Sequence, residues 1–97
     1  MLTKDKILKT IKRHAGELNA YGVKKVGIFG SFAKAGQNSR SAVDVLVEFA
    51  RNRKTFDNYM NLKFYLEKLF HRKVDLVTKD ALKTRIKNRV LGEVQYA

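Results

Sequence analysis

At 97 residues, with 44% apolar and 31% charged side chains, the chain fits one globular domain and not a disordered segment. It has no cysteine, which excludes disulfides, thiol chemistry and cysteine-ligated zinc. Lysine and arginine number 21 against 9 acids, so the net charge of +12 favours polyanionic partners: nucleic acid, nucleoside triphosphates or an acidic protein. Taken in chain order, Thr3 caps a first helix, and Leu8, Ile11, Ala15 and Leu18 form its apolar stripe until about Asn19. V-K-K-V-G-I-F, Val23 to Phe29, reads as a strand that runs into Gly30-Ser31 and a short helix start, F-A-K-A. G-Q-N-S-R is a turn, and Ala42 to Phe49 is a second strand. Thr55 caps a helix with Tyr59, Leu62, Leu66 and Leu69 on its buried face, joined by Met60 and Tyr65. K-V-D-L-V makes a third strand, Thr78 opens a last helical region to about Leu91, and V-Q-Y-A closes the chain. The order predicts an α/β or α+β domain over 1–97, with a small sheet of about three strands and helices packed on one face.

The acids sit on strands in a telling way. With a side-chain period of two, Ala42, Asp44, Leu46 and Glu48 share one face, while Val43, Val45, Val47 and Phe49 share the other and should meet the helices. Slipping the register by one residue would bury Asp44 and Glu48. Asp75 alternates with Val74 and Leu76, so neighbouring second and third strands would put Asp44 and Asp75 on one open face. A carboxylate between large apolar residues needs a partner, either a cation such as magnesium or a plain ion pair with lysine or arginine. Gly30-Ser31 after a strand is an ordinary turn or an anion site made by free N–H groups and a hydroxyl, with Lys34 one turn on.

Other features are quieter. No apolar run approaches the ~20 residues of a membrane span, and M-L-T-K-D-K-I-L-K lacks the apolar stretch of a signal peptide, so a cytoplasmic protein is expected. His14 and His71 have no ligand spacing and read as surface side chains. The cations are spread through K-T-I-K-R, R-N-R-K and K-T-R-I-K-N-R without interleaved aromatics, so nucleic acid is expected to bind only non-specifically.

G-I-F-G-S-F-A-K followed by S-A-V-D-V-L-V-E-F resembles the nucleotidyltransferase signature of the DNA polymerase beta superfamily. The closer resemblance is to minimal nucleotidyltransferases, small proteins paired with HEPN-domain toxins, and it runs over nearly the whole chain. The resemblance implies the nucleotidyltransferase fold and Mg²⁺-dependent transfer of AMP from ATP to a hydroxyl, expected to be a tyrosine, of a HEPN ribonuclease toxin. Gly30 and Ser31, with Lys34, would hold the triphosphate. Asp44 matches the second acid of Asp-x-Asp and Asp75 the third, and both would bind metal. Ala42 stands where the first acid belongs, Lys34 where arginine is usual, and Ala35 where glycine is usual. The expected consequence is a folded chain that is inactive or strongly impaired. Whether Ala42 is a deliberate truncation or belongs to a natural degenerate copy stays open. The alternative function is a non-catalytic antitoxin that neutralises its partner by occlusion. The acceptor residue, the nucleotide preference and any oligomer are not legible.

Overall fold

The computed structural model describes residues 2–33 and 42–97. The chain opens with α1 (Lys4–Arg13) and α2 (Ala15–Ala20), followed by β1 (Val23–Phe29) and α3 (Gly30–Ala33). After it come β2 (Val43–Phe49), α4 (Phe56–Phe70), β3 (Val74–Thr78), α5 (Thr84–Glu93) and β4 (Gln95–Tyr96), with a 3₁₀ turn, Lys79–Ala81, between β3 and α5. The expected turn G-Q-N-S-R, Lys34 and Ala35 lie outside the described residues.

The helix starts follow from their caps. Thr3 accepts a hydrogen bond from the Lys6 N–H (3.3 Å), and Thr55 accepts one from the Asn58 N–H (3.1 Å). The first helix is divided at His14, whose ring nitrogen Nδ1 lies 2.9 Å from the Thr10 carbonyl and whose ring meets Tyr65 edge-on. His14 is therefore half-buried, unlike the exposed His71, which takes a left-handed conformation to end α4.

The sheet is mixed. β1 pairs antiparallel with β2 and β4, β2 pairs parallel with β3, and the order is β3-β2-β1-β4. The edge strand β4 adds to the three expected strands. It has two exposed residues and no alternating pattern to announce it. One main cluster packs on one face: Ile7 and Ile11 from α1, Leu18 from α2, Phe32 from α3, and Leu62, Leu66 and Phe70 from α4 against Val43, Val45 and Val47. That is the expected inward set of β2.

The opposite face departs in one respect from the open surface expected of it. Leu46 is 1% exposed although it shares a face with Asp44. Val90 of α5 is 2% exposed, and both residues lie outside the main cluster. Among the described residues, four helices pack on one face and α5 lies over the other. No helix among the described residues is long and apolar enough to cross a membrane.

Candidate functional site

The parallel register of β2 and β3 places Asp44 directly beside Asp75. Neighbouring strands are ~4.8 Å apart, and residues in register point to the same side, so the two carboxylates share one patch of surface. The expected juxtaposition is present. Burial pushes the Asp44 carboxyl up to about 6, and the neighbouring charge of Asp75 and a hydrogen bond with it add to the shift. β3 is an edge strand, and α4 ties it down. The Tyr59 hydroxyl donates to the Leu76 carbonyl, and the Val74 N–H donates to Glu67 Oε2 (3.0 Å). The residues before and after Asp75 are thereby both tied to α4.

Gly30 completes the floor. It follows Phe29, the last residue of β1 and the register partner of Asp44, and it has a φ of +72°. A Cβ built on it would run into Asp44 Oδ2. A residue without a side chain is required here for two reasons, conformation and space. Ser31 follows, half-buried, in the first turn of α3. Ala42 immediately precedes β2, where the next residue, Val43, donates its N–H to the Lys73 carbonyl (2.9 Å).

A cleft of about 670 Å³ opens over the acids. Asp44 and Asp75 lie on its strand side, with Tyr59 and Lys63 from α4 and Arg85 and Arg89 from α5 on its walls. The four cations of the cleft (these three and Lys83) were missed by sequence reasoning. Their signal was available only in part. Arg85 and Arg89 are four apart, which puts them on one helix face, but nothing in the sequence says what that face overlooks.

The donor set fits Mg²⁺ in type. Carboxylate oxygens are hard ligands, and magnesium is commonly held by one or two carboxylates with phosphates and water completing the octahedron. Burial and the neighbouring charge of Asp75 both raise the Asp44 carboxyl, and a cation held by the two acids would offset their mutual repulsion. The supply is thin, however: no group of three or more His, Cys, Asp or Glu side chains converges among the described residues.

The chain resembles known proteins in sequence and in fold. The chain is 38% identical over 97 residues to the protein adenylyltransferase MntA of Thermococcus cleftensis, covering 99% of this chain and 97% of that one. It superposes on a solved chain described as a "putative minimal nucleotidyltransferase" with a TM-score of 0.83 at 28% identity, covering 97% and 95% of the two chains. A third similarity, in fold alone, is to a solved complex of a tri-AMPylated Shewanella oneidensis HEPN toxin with an MNT antitoxin. There the TM-score is 0.65 at 16% identity, with 93% of this chain and 70% of that chain covered. Residues 5–97 match the nucleotidyltransferase domain family as a whole. By that match and by its identity to the Thermococcus cleftensis protein, the chain belongs to the nucleotidyltransferase domain family.

Proposed function

We propose that this fold serves as a protein adenylyltransferase-type antitoxin. Its reaction is transfer of AMP from ATP to a hydroxyl, a tyrosine by the family resemblance, on a HEPN-domain toxin. The observation that carries the reading is Asp44 in register with Asp75 at the floor of a cation-walled cleft, with Gly30 against Asp44. In the reaction the acceptor oxygen bonds to the α-phosphorus while the bond from that phosphorus to the bridging oxygen breaks. Pyrophosphate leaves with the bond's electrons, and the hydroxyl proton passes to a carboxylate. Asp75, exposed and lining the cleft, would receive that proton. Asp44 and Asp75 would hold Mg²⁺, which neutralises charge developing on the phosphate oxygens when bound. Gly30 and Ser31 would carry the triphosphate, with Lys34 beside them.

Ala42 qualifies this. Residues two apart on a strand project to one side with Cα atoms ~6.5 Å apart, so an acid at 42 would converge with Asp44 on the metal. Alanine withdraws that ligand. Loss of ~3–4 kcal/mol of transition-state stabilisation slows turnover by ~10²–10³. The chain as it stands is accordingly a folded scaffold with strongly reduced or no transfer. The same observation supports a second reading, in which this chain neutralises its partner by occlusion alone. Incubating the parent and Ala42→Asp with the HEPN partner, ATP and Mg²⁺ tests both by mass spectrometry. A mass gain of AMP with Ala42→Asp, at least ~100-fold faster than with the parent, is the expected result. Tight complex formation with no modification by either protein would support occlusion. A variant no faster than a slow parent would overturn the metal-ligand account of Ala42.

A further inference from the structure

The passage from β3 to β4 decides what lies over the acids. Because the strands are ordered β3-β2-β1-β4, the chain leaving β3 must pass β2 and β1 before it can pair at the far edge. α5 makes most of that passage. Its C-terminal end arrives over β1, where a Cβ on Gly27 would come within 2.7 Å of the Gln95 carbonyl and 2.8 Å of Val94 Cγ2. Gly27 pairs with Leu46 and so shares the face of Asp44. Val90 and Leu46 are buried apart from the main cluster. α5 therefore crosses the acid-bearing face from the β3 side to the β1 side, and the residues it turns toward the cleft overlook Asp75 and Asp44.

Two of those residues are Arg85 and Arg89, one turn apart, with ~6 Å of rise between them. Both are exposed. Among the described residues neither makes an ion pair: those present join Lys24 and Lys79 to Glu48, and Lys54 to Asp80. Lys63 and Lys83 stand on the same walls and are likewise outside the ion pairs among the described residues. Four cations that share one cleft repel one another, and they do not discharge onto the acids below. The arrangement suits a small ligand that is itself strongly anionic and long enough to reach from the acids to the helix.

We propose that Arg85 and Arg89 hold the terminal phosphates of the bound nucleotide, the part that departs as pyrophosphate. The proposal rests on the nucleotidyl-transfer reading above. Guanidinium is suited to the task because its planar fork donates two parallel hydrogen bonds to phosphate oxygens. When the bond between the α-phosphorus and the bridging oxygen breaks, negative charge moves onto the pyrophosphate, toward both arginines. They give up no proton, since the leaving group departs as an anion. The cations share the lining of one cleft with Asp44 and Asp75, which favours a ligand that reaches the acid pair, a nucleotide polyphosphate, over the acidic surface of a protein.

The test is equilibrium binding of MgATP, AMP and inorganic tripolyphosphate to the parent, Arg85→Gln, Arg89→Gln, Arg89→Lys and Lys87→Gln. Lys87 lies on the same helix but lines a different groove, so its loss removes the same charge from elsewhere. The expected result is about a tenfold to hundredfold loss of affinity for MgATP and tripolyphosphate in each glutamine variant at the arginines. AMP affinity should stay at the parent's value, Arg89→Lys should recover only part of the loss, and Lys87→Gln should change affinity by less than about twofold. Unchanged MgATP and tripolyphosphate binding in both arginine variants would overturn the proposal and leave the nucleotidyl-transfer reading standing. Equal weakening for AMP and MgATP, or equal weakening by Lys87→Gln, would overturn it in favour of a general field or fold effect. A parent that takes tripolyphosphate through the arginines but no nucleotide would keep the anion wall and overturn the nucleotide reading. A parent that binds none of the three would overturn both.

Discussion

Gly30 is the residue on which the site is most sensitive. Its φ of +72° excludes most side chains, and an added Cβ would collide with the Asp44 carboxylate. Gly30→Ala should destabilise the fold by about 1–3 kcal/mol and abolish MgATP binding. Gly22 is a control with the same conformational constraint, a φ of +86°, and a similar obstacle, Arg53, far from the acids. Gly22→Ala should lower the urea midpoint comparably and leave MgATP affinity intact. If both substitutions weaken nucleotide binding alike, Gly30 acts through stability and not through Asp44. Asp44 itself has a pH signature. Its carboxyl titrates near 6 in the fold, above its unfolded value, so the folded state holds the extra proton between roughly pH 4 and 6. Stability should therefore fall as pH rises through that window and stay reduced above it. Asp44→Asn should be more stable than the parent at pH 7.5 and close to it at pH 4, measured by urea denaturation without metal. The acids and the Gly30-Ser31 turn were legible because strand alternation and glycine each leave a local mark. Arg85 and Arg89 were not, since K-T-R-I-K-N-R is indistinguishable from a solvated charge run until the path of α5 is known.

Among the elements, those with both a cap and a periodic stripe were readable from the residues. α4 is the clearest case, with Thr55 at its start and the expected Leu62 and Leu66 buried along it, although Phe70 is buried in place of the expected Leu69, which is half-buried like Tyr59. The expected single first helix is divided at His14, because its backbone leaves helical geometry there (ψ 23°). β4 escaped notice for the reason that makes it an edge: two exposed residues carry no period. The burial of Leu46 was equally invisible, because it depends on where α5 crosses and not on β2. One contact links an element to function directly. The edge strand β3 carries Asp75, and its Val74 N–H is satisfied by Glu67 of α4 rather than by another strand. Glu67→Ala should cost about 1–2 kcal/mol. Hydrogen exchange should locate the effect: the Val74 amide and its β3 neighbours should exchange faster, while the interior amides of β1 change only with global stability. Uniform acceleration over both strands would mean that Glu67 supports the fold in general and does not specifically hold the strand of Asp75.

At the scale of the whole molecule, the +12 charge and the acid pair pull in different directions. A further acid lowers the net charge and relieves diffuse self-repulsion. Placed at residue 42 it would also stand beside Asp44 and Asp75. The magnitudes favour the local term. Two like charges ~5 Å apart at an effective dielectric of ~20 repel by ~3 kcal/mol, whereas an opposite charge ~15 Å away through water attracts by only ~0.3 kcal/mol before salt screening. Ala42→Asp should therefore melt below the parent when divalent cations are chelated, despite being closer to neutral. Mg²⁺ should reverse the order, because a ligand that binds the folded state stabilises it by RT ln(1 + [L]/Kd), ~2.7 kcal/mol at 100 times Kd. In a chain of 97 residues that corresponds to a rise in Tm of ~10–20 °C. The parent, with one ligand fewer, should respond less at every Mg²⁺ concentration. Thermal melts of both proteins across a Mg²⁺ titration, at constant ionic strength so that screening does not change, give the comparison. Parallel titration curves would mean that a carboxylate at this position never reaches the metal. A crossing of the two stabilities would identify the position as a ligand site independently of any turnover, and would establish that the metal-free acid cluster is a liability which the fold tolerates only because β2 is anchored by Val43, Val45 and Val47 in the core beneath it.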